Sequence, residues 1–217
     1  MIRGIYCSNT GLNALQKKME VIGDNLANAN TDGFKQDKIA IKTFREEING
    51  VMADKITSDF SDGSEKETGN ICNYAIEGDA FFKLQTDQGY IYTRNGSFTV
   101  NQEGYLADTF GRKVIGTTGA IKMVAGAPDQ DFYLASFDNK ESLVRTEGGF
   151  LATDPGAETK AENIKVLPGF VEASNVDLVQ NMTDMINVSR SFALNSRMIT
   201  SQDEMLRKAV EEVGALK

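Results

Sequence analysis

The chain has 217 residues, with 23 Lys and Arg against 31 Asp and Glu, a formal charge of −8 and no histidine. That acidic balance, with no basic run interleaved with aromatics, excludes the electrostatic footprint of a nucleic-acid partner. Without histidine the chain lacks the usual general base near pH 7 and the commonest transition-metal ligand, so most hydrolytic triads are excluded.

The first predicted element is a helix whose apolar residues recur every seven positions at Ile5, Leu12, Met19 and Leu26, with Leu15, Ile22 and Ala29 three residues on. Only Ser8 breaks this a/d pattern. A straight helix drifts by roughly 20° per heptad, so a seam kept in phase points to a supercoiled partner, with an ordinary amphipathic pair as the other reading. The opening stretch lacks the continuous apolar segment of a cleaved signal peptide, and no stretch approaches the length of a membrane span.

The helical pattern ends in an Asn-rich stretch from Asn25 to Phe34. Asn28, Asn30, Asp32 and Gly33 bond their own backbone or accept positive φ, which predicts a defined turn, with Phe34 pinning it. Residues 35 to 50 place Ile39, Ile41, Phe44 and Ile48 among charges, a pattern that predicts a strand running into a short helix. Thr57 to Asn70 is polar and Gly-containing and reads as a linker or exposed loop.

From Asn73 short apolar runs alternate with turn residues, as in Phe81-Phe82-Lys83-Leu84 and Phe132 to Phe137, which predicts an antiparallel β domain. Asn95-Gly96, between Tyr90, Tyr92 and Phe98, Val100, predicts a hairpin with a type I′ turn. Glu77, Asp79, Glu103 and Asp108 lie among these strands, but nothing in the sequence pairs them for carboxylate catalysis. Asp129 and Asp131 read as a turn rather than a calcium loop, and no phosphate-binding or dinucleotide-binding glycine motif occurs. Cys7 and Cys72 stand in unlike contexts and read as free thiols. No catalytic, cofactor-binding or metal residues are assigned.

The last element is a second helix with a seam at Leu178, Met185, Phe192, Ile199, Leu206 and Val213. Its companion seam is read as Met182, Ser189, Ser196, Asp203 and Val210, weak and half polar in the middle. The fold class expected is α+β: N- and C-terminal helices paired as a coiled-coil stalk with a central antiparallel β domain. The boundaries expected are 1–35 and 175–217 for the helical part, 36–72 for a linker with short elements, and 73–170 for the β domain.

Three blocks, in order, resemble the bacterial flagellar axial proteins, specifically the hook-basal body rod group. They are Thr10 to Gln16 with Asn25 to Lys35; Ile76 to Phe82 through Tyr92-Thr93-Arg94-Asn95-Gly96-Ser97-Phe98 to Leu106; and Pro168 to Val179 with Asn181 to Ile186, Ser189 to Phe192 and Asn195-Ser196. Ala80, Ser189 and Phe192 depart from the family pattern, where glycine, glutamine and tyrosine are usual. The resemblance implies a rod subunit that assembles with copies of itself and with other flagellar axial proteins, its terminal helices forming an inner tube and its β domain an outer layer. It also implies passage through the type III export machinery without a cleaved signal peptide, a location in the flagellar basal body, and no small-molecule substrate or cofactor. The assembly interface would hold Ile5, Leu12, Leu15, Met19, Ile22, Leu26, Leu178, Met182, Met185, Phe192, Ile199 and Leu206, and the family turn Asn25, Asn28, Asn30, Thr31, Gly33 and Phe34. A different class, a secreted coiled-coil adhesin or glycan-binding module, would need exposed aromatics, for which Tyr90, Tyr92 and Tyr105 are candidates.

Overall fold

A computed structural model describes residues 2–44, 50–87, 89–124, 126–153, 156, 158–161 and 164–214. The chain forms two units: a helical unit of Met1–Asn28, Asp37–Asp59 and Val176–Lys217, and a central unit of Ala29–Gln36 and Phe60–Asn175. The architecture is α+β, with helices at both ends of the chain and an antiparallel sheet domain between them.

In the helical unit, α1 (Ile2–Ala27) packs against α2 (Leu178–Gly214) and against a two-stranded hairpin of β1 (Asp37–Phe44) and β2 (Gly50–Ser58). The hairpin is antiparallel from Asp37↔Ser58 to Phe44↔Gly50, with its register shifting between Ile39 and Ile41. β1 is the expected strand, and the short helix expected after it lies on residues 45–49, outside the described residues. The segment 36–72 holds this hairpin. Its first part builds this hairpin because β-branched and apolar residues alternate with charges there and the paired strands pack on α1.

α1 buries Ala14, Val21, Ile22 and Asn25, the i, i+7, i+8, i+11 set of one face, while Leu12, Leu15, Met19 and Leu26 are half-buried. Asn25 clasps the start of β1: its amide nitrogen donates to the Asp37 carbonyl and its amide oxygen accepts from the Asp37 N–H, both at 2.8 Å. At the start of α2, Asp177 is the N-cap, its carboxylate accepting from the Gln180 N–H at 3.0 Å.

The more covered residues of α2 are Asn181, Met185, Val188, Phe192, Asn195, Ile199, Gln202 and Leu206, in steps of four and three, together with Asp184 and Ser191. Of the expected seam, Met185, Phe192, Ile199 and Leu206 are among these, whereas Leu178 is exposed. The companion seam is shifted by one residue from the expected Met182, Ser189, Ser196 and Asp203. Counting apolar residues missed it because three of its four positions carry amides.

The central unit runs through β3 (Glu65–Glu67), β4 (Tyr74–Glu77), β5 (Phe81–Thr86), β6 (Gly89–Thr93), β7 (Thr99–Val100), β8 (Leu106–Ala107) and β9 (Lys113–Val114). It continues with β10 (Met123–Val124), β11 (Ala127–Pro128), β12 (Leu134–Phe137), β13 (Leu143–Thr146), β14 (Gly149–Ala152), β15 (Glu158–Lys160), β16 (Lys165–Pro168) and β17 (Phe170–Glu172). The main sheet has nine strands, in the order β13-β14-β6-β5-β9-β8-β7, with β12 joining β5 to β15. Separate ladders join β3 to β17 and β4 to β16.

Phe81 and Phe82 show the two-residue period of a strand, since Phe82 enters a core with Tyr74, Leu84, Phe98, Val114 and Ile121, while Phe81 enters one with Tyr92, Phe137 and Phe150. The sheet is thus covered by apolar packing on both sides of β5.

The hairpin expected at Asn95-Gly96 is absent: β6 pairs with β5 and β14, and β7 pairs with β8. Gly96 is not among the positive-φ glycines, as a type I′ turn would require. It serves close approach instead, because a Cβ there would lie 1.6 Å from the Tyr74 carbonyl oxygen. Asn95 accepts from the Ser97 N–H at 2.8 Å, an Asx turn that satisfies the same side chain in another way.

Candidate functional site

The three sequence blocks meet in the central unit on a buried ion cluster. Lys35 and Glu172 lie 137 positions apart in the chain, yet Lys35 Nζ donates to Glu172 Oε1 at 2.7 Å and to the Ser61 carbonyl at 2.7 Å. Arg94 Nη1 donates to Glu172 Oε2 at 3.3 Å, and its Nη2 to Asp62 Oδ1 at 3.0 Å. The Gly63 N–H completes the coordination of Glu172 Oε1 at 2.8 Å. The side chains of Lys35 and Arg94 are each 1 % exposed and that of Glu172 is 4 %, whereas Asp62 is 64 % exposed. Two buried cations therefore share one buried carboxylate, with a solvated carboxylate at their edge.

Burial pulls the Lys35 pKa below its ordinary value, and the hydrogen bond and charge of Glu172 oppose this. Arg94 also lies 5.5 Å from the Phe81 ring centroid, and its Nε is buried with no hydrogen-bond partner among the described residues.

The Asn-rich turn docks onto this cluster. The Gly33 N–H donates to the Glu172 carbonyl at 2.6 Å, and Gly33 has φ +68° with a hypothetical Cβ 2.3 Å from the Asn95 nitrogen. Only glycine fits there, for both backbone and space. Asp32 accepts from the Ser97 hydroxyl at 3.0 Å. Phe34 lies under the Arg145 guanidinium at 4.5 Å, and Arg145 also donates to the Lys35 carbonyl. Asn175 joins the ends: its Oδ1 accepts from the Gln36 N–H at 2.7 Å, and its Nδ2 donates to the Ser61 carbonyl at 3.0 Å and hydroxyl at 3.1 Å.

Of the expected turn residues, Gly33 and Phe34 belong to this docked segment. Thr31 closes the turn by accepting from the Phe34 N–H at 3.2 Å, Asn30 is exposed, and Asn28 caps α1 through Asp24 at 2.9 Å. Asn25 acts in the helical unit. Lys35, Arg94, Glu172 and Asn175 were given no role by sequence reasoning, although each lies inside one of the three blocks. The available signal was a charged or amide residue inside every block, and charges read from sequence look like surface.

Among the expected interface residues, Ile22 is buried, while Leu12, Leu15, Met19, Leu26, Met185, Phe192, Ile199 and Leu206 are half-buried; Leu178 and Met182 are exposed. The side chains of Ile5 and Val213 lie outside the described residues. Met19 and Met185 face the helix pair: the Ser189 hydroxyl is 3.8 Å from Met19 Sδ, and a Cβ on Gly23 would lie 3.9 Å from the Met185 methyl. Both cysteines are free.

The scattered acids have individual partners: Asp79 with Lys140 at 2.5 Å, Glu103 with Lys113 at 2.6 Å, and Asp108 with Arg112 at 2.5 Å. Hydrogen bonding to Lys113 draws the Glu103 pKa down. Each of these three carboxylates is engaged by its own cation. Of the three tyrosines considered for glycan binding, Tyr92 is buried and donates to Glu158 at 2.7 Å, Tyr90 is exposed with Lys83 at 4.2 Å from its ring centroid, and Tyr105 is half-buried with Lys113 at 4.3 Å.

Three family models match in order: Flagella basal body rod protein over residues 5–35, the Flagellar hook protein FlgE/F/G D1 domain over 75–130, and Flagellar basal body rod FlgEFG protein C-terminal over 167–212. The flagellar basal-body rod protein FlgG of Bacillus subtilis is 30 % identical over 263 aligned positions, covering 97 % of this chain and 98 % of the relative. FlgF of Mesorhizobium japonicum is 32 % identical over 231, covering 94 % and 96 %. The chain belongs to the flagellar basal-body rod protein family. It is accordingly a structural subunit of the rod in the flagellar basal body, and not an enzyme. These relatives lend no support to the adhesin reading. Lys35 lies in the first matched segment, Arg94 in the second and Glu172 in the third, so the ion cluster draws one member from each.

Proposed function

We propose that this rod subunit self-assembles into a helical axial tube through its terminal helices and transmits torque through the cell envelope. The segments 1–35 and 175–217 are the inner tube in this reading, and 73–170 the outer layer. The observation that carries it is the exposed apolar surface of α2. One face of the helix packs on α1, while Leu178, Met182, Ile186, Leu194, Met198 and Met205 remain exposed in the single chain. A monomer rarely leaves so much apolar surface in water, and heterologous contacts that do not close on themselves generate a tube. The steps of four and three along α2 favour coiled-coil packing of the helices, with Asn195 and Gln202 as polar seam positions that specify register. Copies of the chain and other flagellar axial proteins are the partners, and export without a cleaved signal peptide is the route.

The test is a double substitution on the exposed face, Met182→Glu with Ile186→Glu. Because both side chains are exposed, the monomer should keep its helicity and unfolding midpoint, while sedimentation at rising concentration shows loss of the larger species formed by the unaltered chain and cells carrying the variant fail to swim. Normal assembly and swimming would refute the reading.

A further inference from the structure

The chain passes between its two units four times, at residues 28/29, 36/37, 59/60 and 175/176. In the central unit the segments that end at these crossings are tied to one another by the ion cluster. Glu172 holds three of them at once: its carboxylate accepts from Lys35 at 2.7 Å, just before one crossing, and from the Gly63 N–H at 2.8 Å, just after another. Its carbonyl accepts from the Gly33 N–H at 2.6 Å, and it lies three residues before the last crossing. Asn175 repeats the connection at the outer end, bonding Gln36 at 2.7 Å and Ser61 at 3.0 Å. Arg94, from the end of β6, links Glu172 and Asp62 to the main sheet.

We propose that the Lys35–Glu172–Arg94–Asp62 cluster, with Asn175, is a mechanical clamp that makes the four crossings act as one joint. Load carried along the helices then enters the central sheet through three tied backbone segments and not through independent strands. This rests on the rod reading above. The chemistry suits the role. A buried ion cluster adds little to stability compared with apolar packing of the same volume, but it demands one geometry, since either partner left alone is a buried charge. Directional bonds also resist sliding, which an apolar patch does not. The glycine at 33 lets the turn approach closely enough for both its backbone and Lys35 to engage Glu172.

The test uses the full chain with Asn175→Ala, which removes three tethers without orphaning a charge, and Glu172→Gln, which releases the centre of the cluster. Amide hydrogen exchange of residues 29–36, 60–64 and 172–175 should rise, on the order of a hundredfold for Glu172→Gln, while β5 and β6 keep their protection. Cells carrying Asn175→Ala should swim in dilute medium and stall at lower viscosity than cells with the unaltered chain. Unchanged exchange at the crossings would overturn the clamp, as would raised exchange with undiminished performance at every viscosity. Should Glu172→Gln fail to assemble, Asn175→Ala carries the viscosity comparison alone. Deletion of the gene separates the two readings: cells that still swim without it would refute the rod assignment itself, whereas a loosened but load-resistant variant refutes only the clamp.

Discussion

Replacing Glu172 by Gln keeps the shape of the side chain and removes the one buried negative charge between Lys35 and Arg94. Asp62 then remains as counter-ion, at 3.8 Å from Lys35 and 3.0 Å from Arg94, but its 64 % exposure leaves it well screened. Breaking a buried pair by removing one partner costs about 3–5 kcal/mol. Because whole domains are stable by only about 5–15 kcal/mol, that is a large fraction of the total. With a urea slope of about 1–3 kcal/mol per molar, the midpoint should fall by roughly 1–5 M. The chain has no tryptophan, and all its tyrosines except Tyr6 lie in the central unit, so tyrosine fluorescence reports that unit.

The double variant Lys35→Met with Glu172→Gln removes one orphaned cation and should recover about 1–3 kcal/mol relative to the sum of the single changes. The deficit of Glu172→Gln should also shrink as pH rises. Lys35 has its folded pKa below the unfolded value of 10.5, so in the window between them the unfolded chain binds more protons and stability rises with pH. A loss under about 1 kcal/mol, or strict additivity of the pair, would refute the argument that Glu172 neutralises two buried charges.

Three further outcomes are expected. Gly33→Ala combines φ +68° with a backbone approach of 2.3 Å and should lower Tm by roughly 5 °C or more, whereas Gly104→Ala, with φ +82° and nothing within 4 Å, should cost only about 1 kcal/mol; equal effects would show that space at Gly33 is irrelevant. Tyr74, Tyr92 and Tyr133 all have phenol pKa values raised above 10, chiefly by burial. Their folded values exceed the unfolded one, so their contribution is intact below pH 10 and is lost as pH climbs past it. Urea midpoints at pH 9 and 11 should show the fall, and Tyr92→Phe should flatten it. Asn25→Ala strips both bonds from the Asp37 backbone and should destabilise the hairpin of the helical unit by about 1–3 kcal/mol, read as faster hydrogen exchange along β1 with β5 unchanged.

Local patterns in the sequence determined the local structure. The heptad spacing of Leu12, Met19, Met185 and Phe192 makes helices with one covered stripe, the alternation around Phe81 and Phe82 makes a strand, and the run from Asn28 to Gly33 ends α1, because periodicity and capping act within a few residues. The three family blocks were equally legible. Tertiary structure decided what those patterns meet. The hairpin signal at Asn95-Gly96 yields to the Tyr74 carbonyl packed against Gly96, a contact spanning more than twenty positions. The second seam of α2 moves to Asn181, Val188, Asn195 and Gln202, because amides count as surface until a facing helix covers them. Lys35, Arg94 and Glu172 look like solvated charges in their own segments. They become a buried cluster only when segments 78 and 137 positions apart are brought together, and no local rule carries that information.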